Sequence, residues 1–196
     1  MGTDGSGPAA AISAYLVLLR GVNVGGRNKV PMAALRQCLL DTGFSDVTTY
    51  IASGNVLLRS AERATTVRSR IEQALTAHFQ LDDDTVQALV LGREQLRAVI
   101  DNKPVGFGEQ PEKFHSDAIF LIGIDPDEAI AVFDPRDGVD AVWPGDGVIY
   151  SQRLSAQRTR SRLSKIMGSP LYRSMTIRSW NTTSMLWTLM QKMEPS

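Results

Sequence analysis

The chain has 196 residues, of which 43% are hydrophobic and 21% are charged, and its formal net charge is zero. This balance excludes an intrinsically disordered chain, and the length suits one large domain or two small ones. No apolar stretch approaches the roughly 20 residues of a membrane-spanning helix, and the single cysteine, Cys38, excludes an internal disulfide. We therefore expect a soluble cytoplasmic protein without a membrane partner, whose residues 1–13 form a flexible tail.

The first half of the chain predicts six elements in the order β-α-β-β-α-β. A continuous apolar run that begins at Tyr15 indicates a buried strand, and a glycine-rich loop separates this strand from a helix with one apolar face. The helix 62–79 has apolar residues at every fourth position, and the segment 52–55 is typical of a hairpin turn. The predicted strands are 15–19, 47–51, 56–59 and 86–91, and the predicted helices are 31–43 and 62–79.

The second half repeats this order of elements. A short helix and a linker lead to a second apolar strand, and paired strands again flank a glycine-containing turn. A basic helical segment, 156–167, takes the place of the second helix. The last helix is predicted to begin at Asn181 or Thr182, because a residue of this kind caps a helix well. The other predicted ranges are helix 93–100, linker 101–116, strand 118–122, helix 125–133 and strands 139–143, 148–151 and 174–178.

The loop that follows the first strand carries the strongest chemical signal. It contains three glycines, an asparagine and several basic side chains, and it leads directly into a helix N-terminus. Glycines allow backbone N–H groups to turn toward an anion, which the helix N-terminus and fixed positive charges also favour. The loop therefore predicts an anion-binding site, although a glycine turn needed for packing explains the same residues. The loop residues of this predicted site are Arg20, Gly21, Asn23, Gly25, Gly26, Arg27 and Lys29.

The spacing of Gly21 and Gly26 comes close to the phosphate-binding loop GxxxxGK[ST] of nucleotide hydrolases. Arg27 replaces the lysine of that motif, and Asn28 replaces the hydroxyl group that holds magnesium. The hairpin that follows the first helix also differs from the parallel crossover of that fold. These differences exclude a P-loop ATPase or GTPase, so the loop assigns no reaction and no cofactor.

Two further segments carry polar side chains that can complete such a site. Ser53 and Asn55 lie at the predicted hairpin turn, where a plain tight turn also explains them. Arg178, Trp180 and Asn181 lie at the end of the second half, and a basic side chain beside an aromatic ring suits a phosphate or a nucleotide base. We expect these residues to bind a ligand only if the second half approaches the glycine-rich loop at one cleft.

The charged residues are strongly segregated along the chain. Eleven acidic and three basic residues lie between Asp101 and Asp146, whereas residues 147–193 contain eight basic residues and no acidic one. A basic block of this kind predicts nucleic-acid binding, and an acidic block suits a protein partner. Alternatively, the two blocks pair with each other in the fold.

Metal chemistry is not indicated by the sequence. His78 and His115 have no partner at the spacing of metal ligands, so we expect no metal site. Cys38 neighbours Leu35 and Leu39, as expected for a thiol in the core. The sequence also lacks the GxSxG motif of a serine nucleophile. Whether the protein is an enzyme therefore stays open.

Three separated motifs resemble those of a known family. They are LLRGVNVGG with the downstream KVPM, the hairpin YIASGNV, and the C-terminal RSRLSKIMGSP followed by TIRSWNT. In this order they resemble the DUF1697 family, a family of unknown function, over residues 15–193. The resemblance implies a duplicated, ferredoxin-like α/β architecture of the α+β type, and it implies no established reaction or cofactor. The expected units are a first half at 14–92, a helix and linker at 93–116, a second half at 117–178 and a C-terminal helix at 179–196.

The leading functional hypothesis is a protein that binds a phosphorylated small ligand, such as a nucleotide, at the glycine-rich loop. Two alternatives stay open, namely nucleic-acid binding through the basic stretch 153–178 and a protein-interaction module without a ligand. These classes differ in salt dependence, because binding that involves many phosphates weakens steeply as salt rises. The sequence does not predict the oligomeric state.

Overall fold

The computed structural model describes residues 11–82 and 86–193, which form two four-stranded antiparallel sheets with helices packed on them. The protein therefore has a mixed α and β fold. Residues 1–10, which make up most of the expected tail, lie outside the described residues, and Ser13 already begins the first strand. Within the described ranges, no helix combines the length and the apolar character that crossing a bilayer requires.

The first sheet is built from the first half of the chain. Its elements are β1 Ser13–Arg20, α1 Met32–Asp41, β2 Ser45–Tyr50, β3 Asn55–Ser60, α2 Ala64–His78 and β4 Gln87–Gly92. The strands lie in the order β2-β3-β1-β4, so β1 is central and pairs with both β3 and β4. Side chains alternate along β1, since Val17 and Leu19 pack against α1 and α2 while Leu16 and Leu18 face the opposite side.

The second sheet repeats this strand order. Its elements and the flanking helices are α3 Arg93–Asp101, β5 Phe114–Leu121, α4 Pro126–Ile130, β6 Asp140–Gly145, β7 Val148–Leu154, β8 Met175–Ser179 and α5 Trp180–Gln191. The order β6-β7-β5-β8 equals the order of the first sheet when strands are counted from the start of each half. The strand predicted at 118–122 begins earlier, at Phe114, and therefore takes in the end of the predicted linker.

The segment between β7 and β8 differs from the prediction. Instead of one helix over 156–167, it forms three short 3-10 helices, at Ser155–Arg160, Leu163–Gly168 and Pro170–Ser174. Ser161 and Ser169 have extended backbones between them, with ψ of 143° and 140°. The proline that follows Ser169 also lacks the N–H that a continuous helix needs. The second half therefore repeats the strand order of the first, but not its second α-helix.

Three hydrophobic clusters hold the layers of the protein together. The outer face of the first sheet packs on α1 and α2, and the outer face of the second sheet packs on α4 and the 3-10 helices. The inner faces of both sheets contribute to one central cluster that also contains α3 and α5. Phe107, Tyr150 and Trp180 meet edge to face in this central cluster, with ring centroids 5.1–6.3 Å apart. The two halves therefore share a core.

The C-terminal helix is capped by Ser179 and not, as predicted, by Asn181 or Thr182. The Ser179 hydroxyl oxygen accepts a hydrogen bond from the Thr182 backbone N–H at 3.2 Å, and the helix begins at the next residue after the cap. Leu186 and Met190 are fully buried in the central cluster. Burial of a side chain of this size contributes about 1.5–3 kcal/mol. Helix α5 is therefore part of the core.

Each hairpin turn contains a glycine that accepts a hydrogen bond from the central strand of its sheet. The Leu19 N–H donates to the Gly54 carbonyl at 2.8 Å, and the Leu121 N–H donates to the Gly147 carbonyl at 2.9 Å. Both glycines have a positive φ, 73° and 67°. Gly54 is also crowded, since an added Cβ lies 2.6 Å from the Val22 Cγ2 atom, whereas the space around Gly147 is open. Residue 54 therefore requires glycine for space as well as for conformation.

We expect Gly54→Ala to lower the free energy of unfolding by about 2–5 kcal/mol. A left-handed alanine costs about 1–2 kcal/mol, and overpacking costs about 1–3 kcal/mol more. Gly147→Ala is the matched control and is expected to cost about 1–2 kcal/mol, because it shares the positive φ without the crowding. Urea denaturation of both variants measures the difference. Equal losses would show that the contact with Val22 does not restrict residue 54.

Candidate functional site

A cleft of about 400 Å³ opens where the first half of the chain meets the second. One wall is the C-terminal end of β1 together with the loop that follows it, and the other is formed by Tyr172 and by residues 175–178 of β8. Arg20 and Arg178 both line the cleft, and Ser53 of the β2–β3 turn lines it as well. The structure thus brings together, at one cleft, residues from both halves that the sequence predicted to bind a ligand.

Arg178 uses every donor of its guanidinium group inside the protein and links the two halves with three of its hydrogen bonds. A guanidinium has five N–H donors, and Arg178 donates to oxygen atoms of five residues. The acceptors are Asn55 Oδ1, Thr176 Oγ1 at 3.0 Å, and the backbone carbonyls of Ile177, Leu19 and Ser53 at 2.8, 2.9 and 3.0 Å. Three of these acceptors belong to the first half, so the Arg178 side chain connects the two sheets directly.

Arg178 is also a buried charge that has no carboxylate partner among residues 11–82 and 86–193. It is only 7% exposed, and its partners in the described part of the chain are neutral oxygen atoms. Burial lowers the pKa of the Arg178 guanidinium to about 10, so the group stays positively charged at neutral pH. A buried cation of this kind favours an anion nearby, because electrostatic attraction is stronger where water is scarce.

Arg20 reaches across the same junction in the opposite direction. Its Nε donates to the Met175 carbonyl at 3.1 Å, and its Nη2 makes a longer contact of 3.4 Å with the Tyr172 carbonyl. Its guanidinium carbon lies 5.7 Å from the centre of the Tyr172 ring, within the range of a cation–π interaction. Arg20 and Arg178 therefore cross-link the two halves reciprocally.

Ser53 and Asn55, the predicted hairpin residues, belong to this network. Asn55 is fully buried, and its Nδ2 donates to the Tyr50 carbonyl at 3.0 Å and to the Ser53 hydroxyl oxygen at 2.9 Å. Its Oδ1 accepts from Arg178. The Asn55 amide is thus used inside the protein, whereas Ser53 lines the cleft.

The glycine-rich loop folds as a tight hairpin. Gly25 and Gly26 have φ of 58° and 79°, and the flanking Arg27 N–H donates to the Val24 carbonyl at 3.0 Å. Positive φ at both central residues is the requirement of a type I′ turn. Neither glycine lines the cleft, and no residue of α1 lines it. The two glycines therefore serve the turn geometry, and the cleft lies at the end of β1 and away from the helix N-terminus.

Two asparagines hold the loop closed. Asn23 has a positive φ of 55°, and its side chain pairs with the Val30 backbone, accepting from the N–H at 2.8 Å and donating to the carbonyl at 2.9 Å. Its Nδ2 also donates to the Ala52 carbonyl of the neighbouring hairpin at 2.9 Å. Asn28 likewise has a positive φ and donates to the Gly21 carbonyl at 2.9 Å. The two amides thus fix the conformation of this wall of the cleft.

The other predicted residues differ in their position relative to the cleft. Arg27 lines it, with a side chain that is 75% exposed and an ion pair to Asp82 at 2.7 Å. Lys29 is exposed and does not line the cleft. Trp180 lies in the central aromatic cluster, and Asn181 is exposed on α5, so neither lines the cleft. Sequence reasoning grouped these two with Arg178 because they follow it closely in the chain.

The structure also adds cleft residues that the sequence did not single out. Thr176 lies two positions before Arg178, and side chains two positions apart in a strand share a face. This alternation is a signal from which Thr176 can be inferred once Arg178 is suspected. Tyr172 and Met175 also line the cleft, but their proximity to Arg20 depends on packing between distant segments and leaves no local sequence signal.

The acidic and basic blocks of the chain pair with each other in part. Asp134 forms ion pairs with Lys165 at 2.9 Å and with Arg162 at 3.2 Å. The hydrogen bond from Lys165 is the main reason that the pKa of Asp134 lies below its usual range. Arg153 lies 3.9 Å from Asp117 of the acidic block. Part of the basic stretch is therefore neutralised within the fold, which reduces the charge that it can offer to a nucleic acid.

Comparison with known proteins agrees with this fold and leaves the activity open. The sequence matches DUF1697, described as a protein of unknown function, over residues 12–150, and the chain therefore belongs to this family. The structure is similar to that of the conserved bacterial protein SP0830 from Streptococcus pneumoniae, with 27% sequence identity and a TM-score of 0.78. The similarity covers 92% of this chain and 99% of that one. None of the curated proteins matches this sequence.

We expect Arg178→Lys to lower the free energy of unfolding by about 2–4 kcal/mol, because lysine carries three donors on one nitrogen and leaves buried acceptors unpaired. Arg36→Lys is the matched control. Arg36 is an exposed residue whose Nε donates to the Val47 carbonyl, and we expect a change of less than about 1 kcal/mol there. Urea unfolding followed by tryptophan fluorescence measures both variants. Similar losses in both variants would contradict the linking role of Arg178.

We expect Asn23→Ala to loosen the loop, because it removes three hydrogen bonds to the Val30 and Ala52 backbones. The free energy of unfolding should fall by about 1–3 kcal/mol, and the Val30 amide should exchange with solvent faster. Hydrogen exchange measured by NMR tests the second effect directly. Asn181→Ala, at an exposed asparagine of α5, is the control and is expected to stay within about 0.5 kcal/mol. An unchanged exchange rate at Val30 would refute this account of the loop.

Proposed function

We propose that the cleft between the two halves binds a small phosphorylated ligand, of which a nucleotide is the leading candidate. The observation that carries this proposal is the buried, charged guanidinium of Arg178, which borders the cleft with neutral acceptors around it. Arg20 and Arg27 line the same cleft and add positive charge. Such charges favour phosphate, because they attract its negative charge, and more strongly where water is scarce.

The proposed position of the phosphate is the end of β1 and not the start of α1. Support comes from the lining of the cleft, which includes Arg20 and Arg178 but no residue of α1. Val22 and Ile177 add apolar wall, which suits the uncharged part of a ligand. The volume of about 400 Å³ lies within the usual range of small-molecule sites.

The proposal is limited to binding. Asp82 is the only carboxylate among the lining residues that the structure describes, and its carboxylate forms an ion pair with Arg27. A general base must lie within hydrogen-bond reach of the proton that it abstracts, and the Asp82 carboxylate is already engaged by the Arg27 guanidinium at 2.7 Å. We therefore assign no reaction. A phosphorylated metabolite as the ligand agrees with the cytoplasmic location that we expect for this protein.

We further propose that the halves 14–92 and 117–178 are duplicated ferredoxin-like units. They are joined by the segment 93–116 and completed by the C-terminal residues 179–196. The equal strand orders support this proposal, as do the equivalent hydrogen bonds from Leu19 to Gly54 and from Leu121 to Gly147. The 3-10 helices of the second unit are then a local divergence from α2 of the first.

A thermal-shift screen tests the proposed binding function. The compounds are inorganic phosphate, sugar phosphates and nucleotides, each paired with its unphosphorylated counterpart. A ligand present at 100 times its Kd stabilises the folded state by about 2.7 kcal/mol, which corresponds to an increase in Tm of roughly 5–10 °C for a chain of this size. We expect such a shift with at least one phosphorylated compound and a smaller one with its counterpart. A screen without stabilisation by any phosphorylated compound would refute the proposal.

The variant Arg27→Gln tests whether the charged wall contributes to binding. We expect Kd to rise about 3- to 10-fold, because one charge-assisted contact at an exposed position is lost. Arg97→Gln is the matched control, since Arg97 also forms an exposed ion pair, with Asp101 at 3.1 Å, and does not line the cleft. Binding that weakens equally in both variants would indicate a general effect of net charge.

A further inference from the structure

Ser53 and Thr176 present two hydroxyl groups beside the guanidinium group of Arg178. The Ser53 oxygen accepts from Asn55 Nδ2 at 2.9 Å, and the Thr176 oxygen accepts from Arg178 Nη1 at 3.0 Å. Arg178 Nη2 also donates to the Ser53 carbonyl at 3.0 Å. Both residues line the cleft. One buried guanidinium therefore contacts two hydroxyl-bearing residues of the same cleft lining, of which Thr176 is only 4% exposed.

These hydrogen bonds determine how each hydroxyl group can interact with a ligand. A hydroxyl has one O–H donor and two acceptor lone pairs. A donor from the protein interior already occupies a lone pair of each oxygen, and this leaves the O–H group of each residue as a donor. In residues 11–82 and 86–193, neither hydroxyl donates to a protein acceptor. Ser53 and Thr176 can therefore each donate one hydrogen bond to a ligand in the cleft.

We propose that these two hydroxyls bind the phosphate of a monophosphorylated ligand, and that Arg178 is a positioning residue and not a direct ligand. The inference rests on the proposed function, because it specifies which atoms of the cleft hold the anion. All five N–H groups of Arg178 already have acceptors in the protein. Its charge nevertheless stabilises the anion through space and polarises the Thr176 hydroxyl as a donor.

The composition of the cleft favours one phosphate group over a chain of phosphates. The two hydroxyls and the Arg27 guanidinium are few donors, and the oxygen atoms of a single phosphate suffice to accept from them. Asp82 lines the cleft as well, and its carboxylate repels additional negative charge. The apolar side chains of Val22 and Ile177 offer no donors to a second or third phosphate. The ligand class is therefore a phosphate monoester, such as a nucleoside monophosphate or a sugar phosphate, and not a nucleoside triphosphate.

Isothermal titration calorimetry of the full chain tests the ligand class. The probes are inorganic phosphate, ribose 5-phosphate, and the mono- and triphosphates of the four ribonucleosides. We expect at least one phosphate monoester to bind, and to bind as tightly as the corresponding triphosphate or more tightly. A triphosphate that binds more than tenfold tighter than every monoester would overturn the assignment of a single phosphate.

Two variants test the hydroxyl groups themselves. Ser53→Ala and Thr176→Val each remove one O–H donor, and we expect each to raise the Kd of the bound monoester about 10- to 100-fold. Thr176→Ser restores a hydroxyl and should recover the affinity that Thr176→Val loses. Arg97→Gln is the control outside the cleft. If Thr176→Val does not fold, the affinity of Ser53→Ala decides the test. We expect Ser53→Ala to fold, because Asn55 Nδ2 still donates to the Tyr50 carbonyl.

The outcomes separate this inference from the proposed function. If the wild-type chain binds no phosphorylated probe, both fail together. If the wild-type chain binds a monoester and Ser53→Ala binds it within threefold of that affinity, the hydroxyl site is refuted while the binding function stands. A loss of affinity in Ser53→Ala and Thr176→Val, with recovery in Thr176→Ser, supports the proposed phosphate site.

Discussion

The relative position of the two halves of this protein depends on one arginine, Arg178, which is buried between them. Buried carbonyl oxygens require donors, and a guanidinium supplies five of them from a single side chain. Arg178 extends from the last strand of the second half to the Leu19 and Ser53 carbonyls of the first half. Arg20 makes the reverse connection to the Met175 carbonyl. The reciprocal pair fixes the relative position of two sheets that otherwise meet through apolar side chains, whose contacts have little directional preference.

This constraint explains why the cleft lies at the junction. The loop after β1 supplies one wall, and residues around β8 supply the other, so neither half contains the whole cleft. Arg178 donates to Asn55 Oδ1 and the Ser53 carbonyl of the first half, and within its own strand it donates to the Thr176 hydroxyl oxygen. Residues that stabilise the fold and residues that border the cleft thus belong to the same hydrogen-bond network.

Local sequence patterns predict most of the elements of this fold, because alternation, helical spacing and turn residues act over short distances. They fail at 156–167, where the extended Ser161 and the later Ser169 divide the segment into 3-10 helices. Local patterns also cannot distinguish a type I′ turn from a phosphate-binding loop, because Gly25 has a positive φ in either case. The sequence does not predict that all the N–H groups of Arg178 have acceptors inside the protein. One of these acceptors, the Leu19 carbonyl, lies 159 positions away in the chain.

The open hairpin of the second half has a practical consequence. Asp146 and Gly147 are exposed, and no side chain crowds the glycine. Cys38 is buried, and burial raises the pKa of its thiol, so it reacts slowly with electrophiles. A cysteine introduced at position 146 therefore offers a selective attachment point for a fluorophore, on the second sheet and outside the residues that line the cleft. Paired with a second dye on the first sheet, it allows the distance between the two sheets to be followed by energy transfer.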